Sequence, residues 1–260
     1  MEVYRQGGLA GRCIVVTRPA GQADGLVDAI RAEGGTPLLF PLIGIGPACD
    51  ATALAEVIAQ LETFDLAFFV SPNAVNYALD AVTAVRDWPE HLVASTVGRG
   101  SLQALHARGF KQAIAPEAGF DSEAVLALPE FAPAAVRGRR VVIFRGDGGR
   151  ELLGSTLASY GADVTYASCY HRYVPESDPA LLMKPVHEGE VDALLFTSSE
   201  GIRNLVTIAG SACLAELRDI PVFVSHSRIA AEARTAGFSI IITAQPGDDR
   251  IITSLRHYFD

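Results

Sequence analysis

The chain contains a long internal repeat. Residues 138–170 repeat the pattern of residues 11–43. Each segment begins with Gly-Arg, continues with a short apolar run and an arginine, and contains a glycine further along. The offset is 138 − 11 = 127, and it also relates Asp65 to Asp192 and Ser71 to Ser198. A weaker third pairing relates Gly109 to Gly237 and needs a one-residue insertion, since 237 − 109 = 128. The repeat indicates an ancient doubling.

The length agrees with two domains. A chain of 260 residues is long enough for two ordinary domains, each with its own core. No apolar run reaches the roughly 18 residues that a membrane span needs. The start, MEVYRQGG, lacks the basic and then apolar pattern of a secretion signal. We therefore expect a soluble cytoplasmic protein without a membrane partner.

Charge and ligand spacing exclude two kinds of site. A formal net charge of −9 without any Lys/Arg cluster argues against a nucleic-acid surface. The six histidines show no ligand spacing, so we expect no metal. The four cysteines are scattered without a C-x-x-C motif and are predicted to be buried free thiols: Cys13, Cys49, Cys169 and Cys213.

Short apolar strands alternate with amphipathic helical segments along both halves. Residues 66–70 form one such apolar run, and the segment after it places Ala74, Val75, Ala78 and Leu79 at helical spacing. This alternation predicts α/β domains, each a doubly wound parallel sheet covered on both faces. The segment 41–47, PLIGIGP, is bounded by prolines and resembles a crossing between domains more than a central strand.

The candidate binding residues lie in the turns that follow the strands. In open α/β sheets ligands bind beyond the carboxyl ends of the strands, where helix N-termini present free N–H groups. The alternative is that the serines of these turns merely cap helices. Matched turns in both halves favour an anion site in a cleft between the domains. The candidates are Thr17, Arg18, Ser71, Pro72, Asn73, Ala74, Val97, Gly98, Ser101, Arg145, Gly146, Gly149, Thr197, Ser198, Ser199 and Ser225.

Other chemical signatures are absent from the sequence. There is no Walker loop, no dinucleotide fingerprint and no nucleophile elbow. An enzyme acting on a sugar phosphate or nucleotide would share the anion-binding turns but should add a phosphate loop or metal carboxylates.

One tyrosine stands near the end of a predicted strand. Tyr170, in SCYHRYVP, is either a packed strand residue or a functional one. Strict alternation places Tyr166 and Tyr170 on one face of the strand and Tyr173 on the other.

Seven motifs in order carry a resemblance to a known family. They are VVTRPAGQADGL, FVSPNAVNYAL, VGRGSLQALHARGF, FRGDGGRELLGSTLASYGADV, the CYHR tyrosine, LLFTSS and RIAAEARTAGF, between Gly11 and Leu255. In these motifs the chain resembles the uroporphyrinogen-III synthase family. These enzymes close a linear hydroxymethylbilane into a macrocycle and invert its last pyrrole ring.

The resemblance implies an interleaved architecture. Two α/β domains would be joined by a two-stranded connector, with residues 1–40 and 174–260 in one domain and 43–171 in the other. Residues 41–47 would pair with 167–173. The repeat alone would equally fit a simple split near residue 130.

The resemblance also implies a site and a reaction. A lyase without cofactor or metal, acting as a monomer, would bind a polycarboxylated linear tetrapyrrole in the cleft through main-chain amides. The binding residues would be those of the turns together with Ile229, and Tyr170 would be the general acid. A noncatalytic regulatory relative with the same fold is the alternative.

Overall fold

The computed structural model of the chain describes residues 8–119 and 121–260. The chain divides into two compact units. Unit 1 comprises the described residues up to Gly44 together with Tyr173–Asp260, and unit 2 comprises Ile45–Arg172. Each unit is built around a five-stranded sheet.

The strands are short, and their bounds in chain order are as follows: β1 (Cys13–Val16), β2 (Thr36–Leu39), β3 (Gly44–Pro47), β4 (Leu66–Phe69), β5 (Val93–Thr96), β6 (Arg140–Gly146), β7 (Asp163–Tyr173), β8 (Ala193–Phe196), β9 (Val222–Val224) and β10 (Ile241–Thr243). The helices are α1 (Asp24–Ala32), α2 (Ala51–Ala59), α3 (Pro72–Thr83), α4 (Arg99–Ala107), α5 (Ser122–Leu126), α6 (Pro133–Val136), α7 (Leu152–Ser159), α8 (Ala180–His187), α9 (Ser199–Leu217), α10 (Ser227–Ala236) and α11 (Asp248–Phe259).

The sheet of unit 1 is parallel, with strand order β10-β9-β8-β1-β2. Alternate residues of β1 pack into separate cores. Val15 lies in the core with α8, α9 and α10, whereas Ile14 and Val16 lie in the core with α1 and α11. Burial on both faces explains why these strands are continuously apolar. The chain order reverses between β1 and β8, which makes that gap the topological switch point of the sheet.

The sheet of unit 2 has the order β3-β7-β6-β4-β5. Strands β7, β6, β4 and β5 pair in parallel. Phe69 and Phe144 stack with ring centroids 5.1 Å apart in the core that contains α2, α3 and α4. Phe68 lies in the core on the opposite face, with α5, α6 and α7. The switch point of this sheet lies between β4 and β6. The predicted α/β class with two doubly wound parallel sheets is confirmed.

The duplication is visible in the strand register. Val15 of β1 pairs with Leu194 of β8, and Val142 of β6 pairs with Ala67 of β4. These two pairs are related by the sequence offset, because 15 + 127 = 142 and 67 + 127 = 194. Each unit therefore takes one part from each repeat, since the partner of β1 lies in the second repeat and the partner of β6 lies in the first.

The same offset repeats a carboxylate contact. The backbone N–H of Cys13 donates to Asp192 over 2.8 Å, and that of Arg140 donates to Asp65 over 2.8 Å. Each carboxylate thus links the loop that precedes one strand to the start of the strand beside it. The recurrence of aspartate at these positions has a structural cause.

Strand β3 shows why the segment 41–47 is rich in glycine. A Cβ atom on Gly46 would lie 2.5 Å from the ring of His171, and one on Gly44 would lie 2.3 Å from the ring of Tyr173. The His171 ring nitrogen Nδ1 lies 2.6 Å from the carbonyl oxygen of Pro47. The segment is therefore an edge strand beside β7, where cross-strand rings occupy the space of the missing side chains.

Candidate functional site

The predicted turns after β1, β8, β4 and β6 flank the switch points of the two sheets, whereas those after β5 and β9 follow the neighbouring strands. In unit 1, Thr17 follows β1 and Thr197 follows β8; in unit 2, Ser71 comes shortly after β4, and Gly146 ends β6. Because the carboxyl ends of parallel strands meet at one edge of a sheet, each unit brings two of its predicted turns together.

In unit 1 the residues after β1 already have partners within the unit. The Thr17 hydroxyl is buried and donates to the carbonyl oxygen of Leu195 over 2.7 Å. The Arg18 guanidinium forms an ion pair with Asp248 of α11 over 2.7 Å. Thr17 therefore holds β1 against β8. Arg18 would have to share its donors between Asp248 and an incoming carboxylate.

The two serines after β8 differ. Ser198 caps α9 by accepting a hydrogen bond from the Glu200 N–H over 3.1 Å. The hydroxyl oxygen of Ser199 is buried and has no hydrogen-bond partner within the described part of the chain. An unpaired buried hydroxyl is costly, so Ser199 has capacity to bind a further polar group. Thr197 is half-buried beside them.

Ser71 has two contacts at the head of α3. Its side chain accepts a hydrogen bond from the Ala74 N–H over 3.1 Å, and its oxygen lies 3.1 Å from the phenol oxygen of Tyr170. Pro72 occupies the first helical position, where the missing N–H is not needed. Asn73 follows it in the same turn. The capping interpretation is therefore correct for Ser71 as well as for Ser198.

Helices α4 and α10, like α1, α7, α8 and α11, begin without a side-chain cap. Gly98 precedes α4 and His226 precedes α10, and neither makes a capping side-chain hydrogen bond. These helices are counterparts in the repeat. Their first turns therefore keep main-chain donors that side chains satisfy in α3 and α9. Val97 and the buried Ser101 lie at the start of α4, and the buried Ser225 and Ile229 lie at the start of α10.

Arg145 and the glycines after it shape the end of β6. The Arg145 Nε donates to the carbonyl oxygen of Gly148 over 3.1 Å, and its guanidinium lies 4.7 Å from the ring centroid of Tyr166. Gly149 has φ 127°, a conformation that other residues rarely adopt. Arg145 is thereby held beside the loop rather than extended into solvent.

Tyr170 is buried, with 3% of its surface exposed. Its ring stacks on Tyr77 of α3, with centroids 6.0 Å apart and planes inclined by 28°. A Cβ atom on Gly146 would lie 2.8 Å from the Tyr170 ring, so only glycine lets the two strands approach here. The packed-strand interpretation is correct about burial, and the role of the phenol as an acid stays a prediction. Sequence analysis missed Tyr77, which no local pattern connects with Tyr170.

The alternation predicted along β7 is wrong. Arg145 pairs with Ser168 but the next residue, Gly146, pairs with Tyr170, so Cys169 is an extra residue on β7. A bulge of this kind reverses the side-chain phase beyond it. Tyr166, before the bulge, contacts α7, where its hydroxyl lies beside Gly154. Tyr170, beyond the bulge, lies in the core on the opposite face.

The cysteines are free, as predicted, but only Cys169 is buried; Cys49 is exposed, and Cys13 and Cys213 are half-buried. Burial raises the pKa of the Cys169 thiol to about 12. A side-chain hydrogen bond with Asp147 raises the pKa of Cys49. Neither thiol has the lowered pKa of a nucleophile.

A cavity of about 650 Å³ lies elsewhere in unit 2, between α2 and α3. Its lining is mainly apolar, with Leu54, Ile58 and Tyr77 among the larger side chains. It contains none of the predicted binding residues and lies beside the later turns of α3 rather than its head. We therefore place the candidate site at the strand ends.

Two further properties concern metals and membranes. Across residues 8–119 and 121–260, no group of three or more His, Cys, Asp or Glu side chains is placed to hold a metal ion. None of the helices in the described ranges combines the length and apolarity required to cross a bilayer.

Comparison with known proteins identifies the family. The family model described as uroporphyrinogen-III synthase HemD matches residues 24–253. The uroporphyrinogen-III synthase of Escherichia coli K12 is 33% identical over 246 residues, covering 94% of this chain and 99% of the relative. That of Salmonella typhimurium LT2 is also 33% identical, with the same coverage of both chains.

Solved structures show the same fold. A mutant uroporphyrinogen III synthase of Thermus thermophilus superposes with a TM-score of 0.58 at 18% identity, covering 95% of this chain and 97% of that one. The Helicobacter pylori 26695 enzyme superposes with a TM-score of 0.59 at 14% identity, covering 96% and 99%. Together with the sequence matches, these findings show that the chain belongs to the uroporphyrinogen-III synthase family.

Proposed function

We propose that the chain is a lyase that converts linear hydroxymethylbilane into uroporphyrinogen III, with loss of water and inversion of the terminal pyrrole ring. Family membership supports the overall reaction. The observation that carries the local assignment is the Tyr170 phenol, which lies 3.1 Å from Ser71 at the head of α3, beside the switch point of unit 2.

The substrate carries many carboxylates, whereas the protein has a net charge of −9. We propose that main-chain N–H groups rather than a basic patch bind these carboxylates. The uncapped first turns of α4 and α10 supply such donors, and the partial positive charge of a helix N-terminus favours anions. Ser101, Ser225 and the unpaired Ser199 hydroxyl would add side-chain contacts.

The candidate turns belong to both units, and we propose that turns of both units bind the substrate. The units would act as the two domains implied by the family resemblance, residues 1–40 with 174–260 and residues 43–171. Binding by two units holds the flexible bilane so that its two ends approach each other. Such positioning removes much of the entropic part of the barrier.

Tyr170 would act as the general acid. The hydroxyl on the terminal methylene is a poor leaving group until it is protonated, and a tyrosine phenol holds a proton at neutral pH. Loss of water gives a cation that the pyrrole nitrogen stabilises. Attack through a spiro intermediate, cleavage and reclosure then invert the ring.

The test is incubation of the purified protein with hydroxymethylbilane, followed by separation of the porphyrinogen isomers. We expect isomer III to form well above the rate of spontaneous cyclisation, which yields the uninverted isomer. Formation of the uninverted isomer alone, at the rate measured without protein, would refute the proposed function and favour a noncatalytic relative.

A further inference from the structure

Ser71 makes a hydrogen-bond arrangement that its capping role does not require. A serine hydroxyl has one proton to donate and two lone pairs to accept with. The Ala74 N–H occupies one lone pair over 3.1 Å. The proton of Ser71 therefore stays available for the phenol oxygen of Tyr170, which lies 3.1 Å away.

The Tyr170 ring is confined on several sides. Tyr77 stacks on it, and the Tyr77 hydroxyl is itself fixed by donating to the carbonyl oxygen of Ile45 over 3.0 Å. The backbone at Gly146 leaves no room for a side chain, because a Cβ atom there would lie 3.1 Å from the Tyr170 hydroxyl oxygen. The phenol oxygen is thus held in one place, beside Ser71.

We propose that Ser71 is a positioning residue for Tyr170: its hydroxyl donates to the phenol oxygen and directs the phenol proton towards the substrate. This inference rests on the proposed function. It assigns Ser71 a role that acts through Tyr170, in addition to the helix cap and to any direct contact with the substrate.

In the proposed step the proton of the Tyr170 phenol moves to the leaving hydroxyl group. The phenol O–H bond breaks, and its proton goes to the hydroxyl oxygen of the terminal hydroxymethyl group. The adjacent C–O bond breaks with its electron pair on oxygen, so water leaves and the pyrrole carries the positive charge. The phenolate keeps the hydrogen bond from Ser71. The phenolate recovers a proton when the pyrrole ring carbon that has formed the new bond loses its proton.

The duplication supplies an internal comparison. Ser198 is the counterpart of Ser71, because 71 + 127 = 198, and it also caps a helix. The counterpart of Tyr170 is Ile43, because 170 − 127 = 43, and this residue is a buried hydrocarbon side chain. A serine at this helix start therefore needs no tyrosine for its structural role. The phenol is a feature of unit 2 alone.

The experiment is a double-mutant cycle in the hydroxymethylbilane assay. We expect Ser71→Ala to lower kcat about 10-fold and to change KM less than about twofold, because a hydrogen bond to a charged group is strongest once the phenolate forms. Ser71→Thr keeps the hydroxyl and should stay within about twofold of wild type. In a Tyr170→Phe background, Ser71→Ala should change kcat less than about twofold.

Two controls separate this role from helix stability. Ser71→Gly removes the hydroxyl but keeps a residue that begins helices well, so it should fold and repeat the kcat loss. Asp50→Ala removes the capping hydrogen bond that the Asp50 carboxylate accepts from the Ala53 N–H over 2.9 Å, in the same unit, and should leave kcat unchanged.

Several results would overturn the inference. Equal losses from Ser71→Ala with and without the Tyr170 hydroxyl would show that Ser71 acts independently. A rise in KM without a fall in kcat would make Ser71 a substrate-binding residue only. Failure of the proposed function would be seen separately, as absence of isomer III with the wild-type protein.

Discussion

Replacing Tyr170 by phenylalanine tests the candidate acid while preserving the packing. The ring keeps its stacking on Tyr77, and Ser71 keeps its hydrogen bond from the Ala74 N–H. The lost contact is the hydrogen bond between the phenol and Ser71, worth about 0.5–1.5 kcal/mol. We therefore expect the free energy of unfolding to fall by no more than about that amount, and the fold to persist.

The effect on catalysis should be much larger. Positioned general-acid catalysis contributes roughly 10²–10⁴-fold. We expect a fall in kcat of about 100-fold, at the lower end, because the pyrrole nitrogen already stabilises the cation that forms. Substrate that escapes unreacted cyclises by itself, so the fraction of the uninverted isomer should rise.

The assay follows hydroxymethylbilane consumption and the isomer ratio, with unfolding measured in parallel. Tyr166→Phe and Tyr173→Phe are matched controls on the same strand. Both side chains are substantially exposed, and Tyr166 contacts α7 on the opposite face of the sheet from Tyr170. A Tyr170→Phe variant with the wild-type rate and isomer ratio would refute the reasoning, and Tyr170 would then be a packed strand residue only.

Four other predictions concern the packing of Gly146, the thiols and metal independence. Gly146→Ala should displace the phenol, because its Cβ atom would lie 2.8 Å from the Tyr170 ring. The variant should have a lower kcat and a free energy of unfolding lower by about 1–3 kcal/mol. A variant with wild-type kcat and stability would contradict this packing. Alkylation of the native protein, measured by mass spectrometry, should modify the exposed Cys49 and spare Cys169, whose pKa is raised to about 12 by burial. Because the unfolded chain releases the Cys169 proton first, unfolding should become easier as the pH rises from 9.0 to about 12, and less steeply so in Cys169→Ala. Exhaustive chelation should leave activity intact; loss that one added metal restores would contradict metal independence.

Local patterns in the sequence determine much of this fold. Apolar runs of four residues predict β1, β4 and β8 because strands buried on both faces need no polar alternation. The matched register of β1 with β8 and of β6 with β4 agrees with the offset of 127 residues, but the offset alone does not predict which strands pair. The repeat specifies that two similar sheets form, while the apolar strands would be buried equally well by pairing within each half.

The interior of the candidate site depends on contacts between distant residues. Ser71 and Tyr170 are 99 residues apart, and Arg18 reaches Asp248 over 230 residues. The sequence indicates that each residue follows or ends a strand, and it cannot indicate which neighbour occupies its donors. Turn chemistry is local, whereas the identity of a hydrogen-bond partner is decided by the sheet order.

The face on which Tyr170 lies was decided by tertiary structure alone. Alternation along β7 is a local rule, and it holds as far as Ser168. Beyond that point the extra residue Cys169 changes the phase, because β6 and β7 shift register between Arg145 and Gly146. A bulge is a property of two paired strands, so the sequence of β7 by itself places a tyrosine near the strand end, and only pairing with β6 directs its phenol to Ser71.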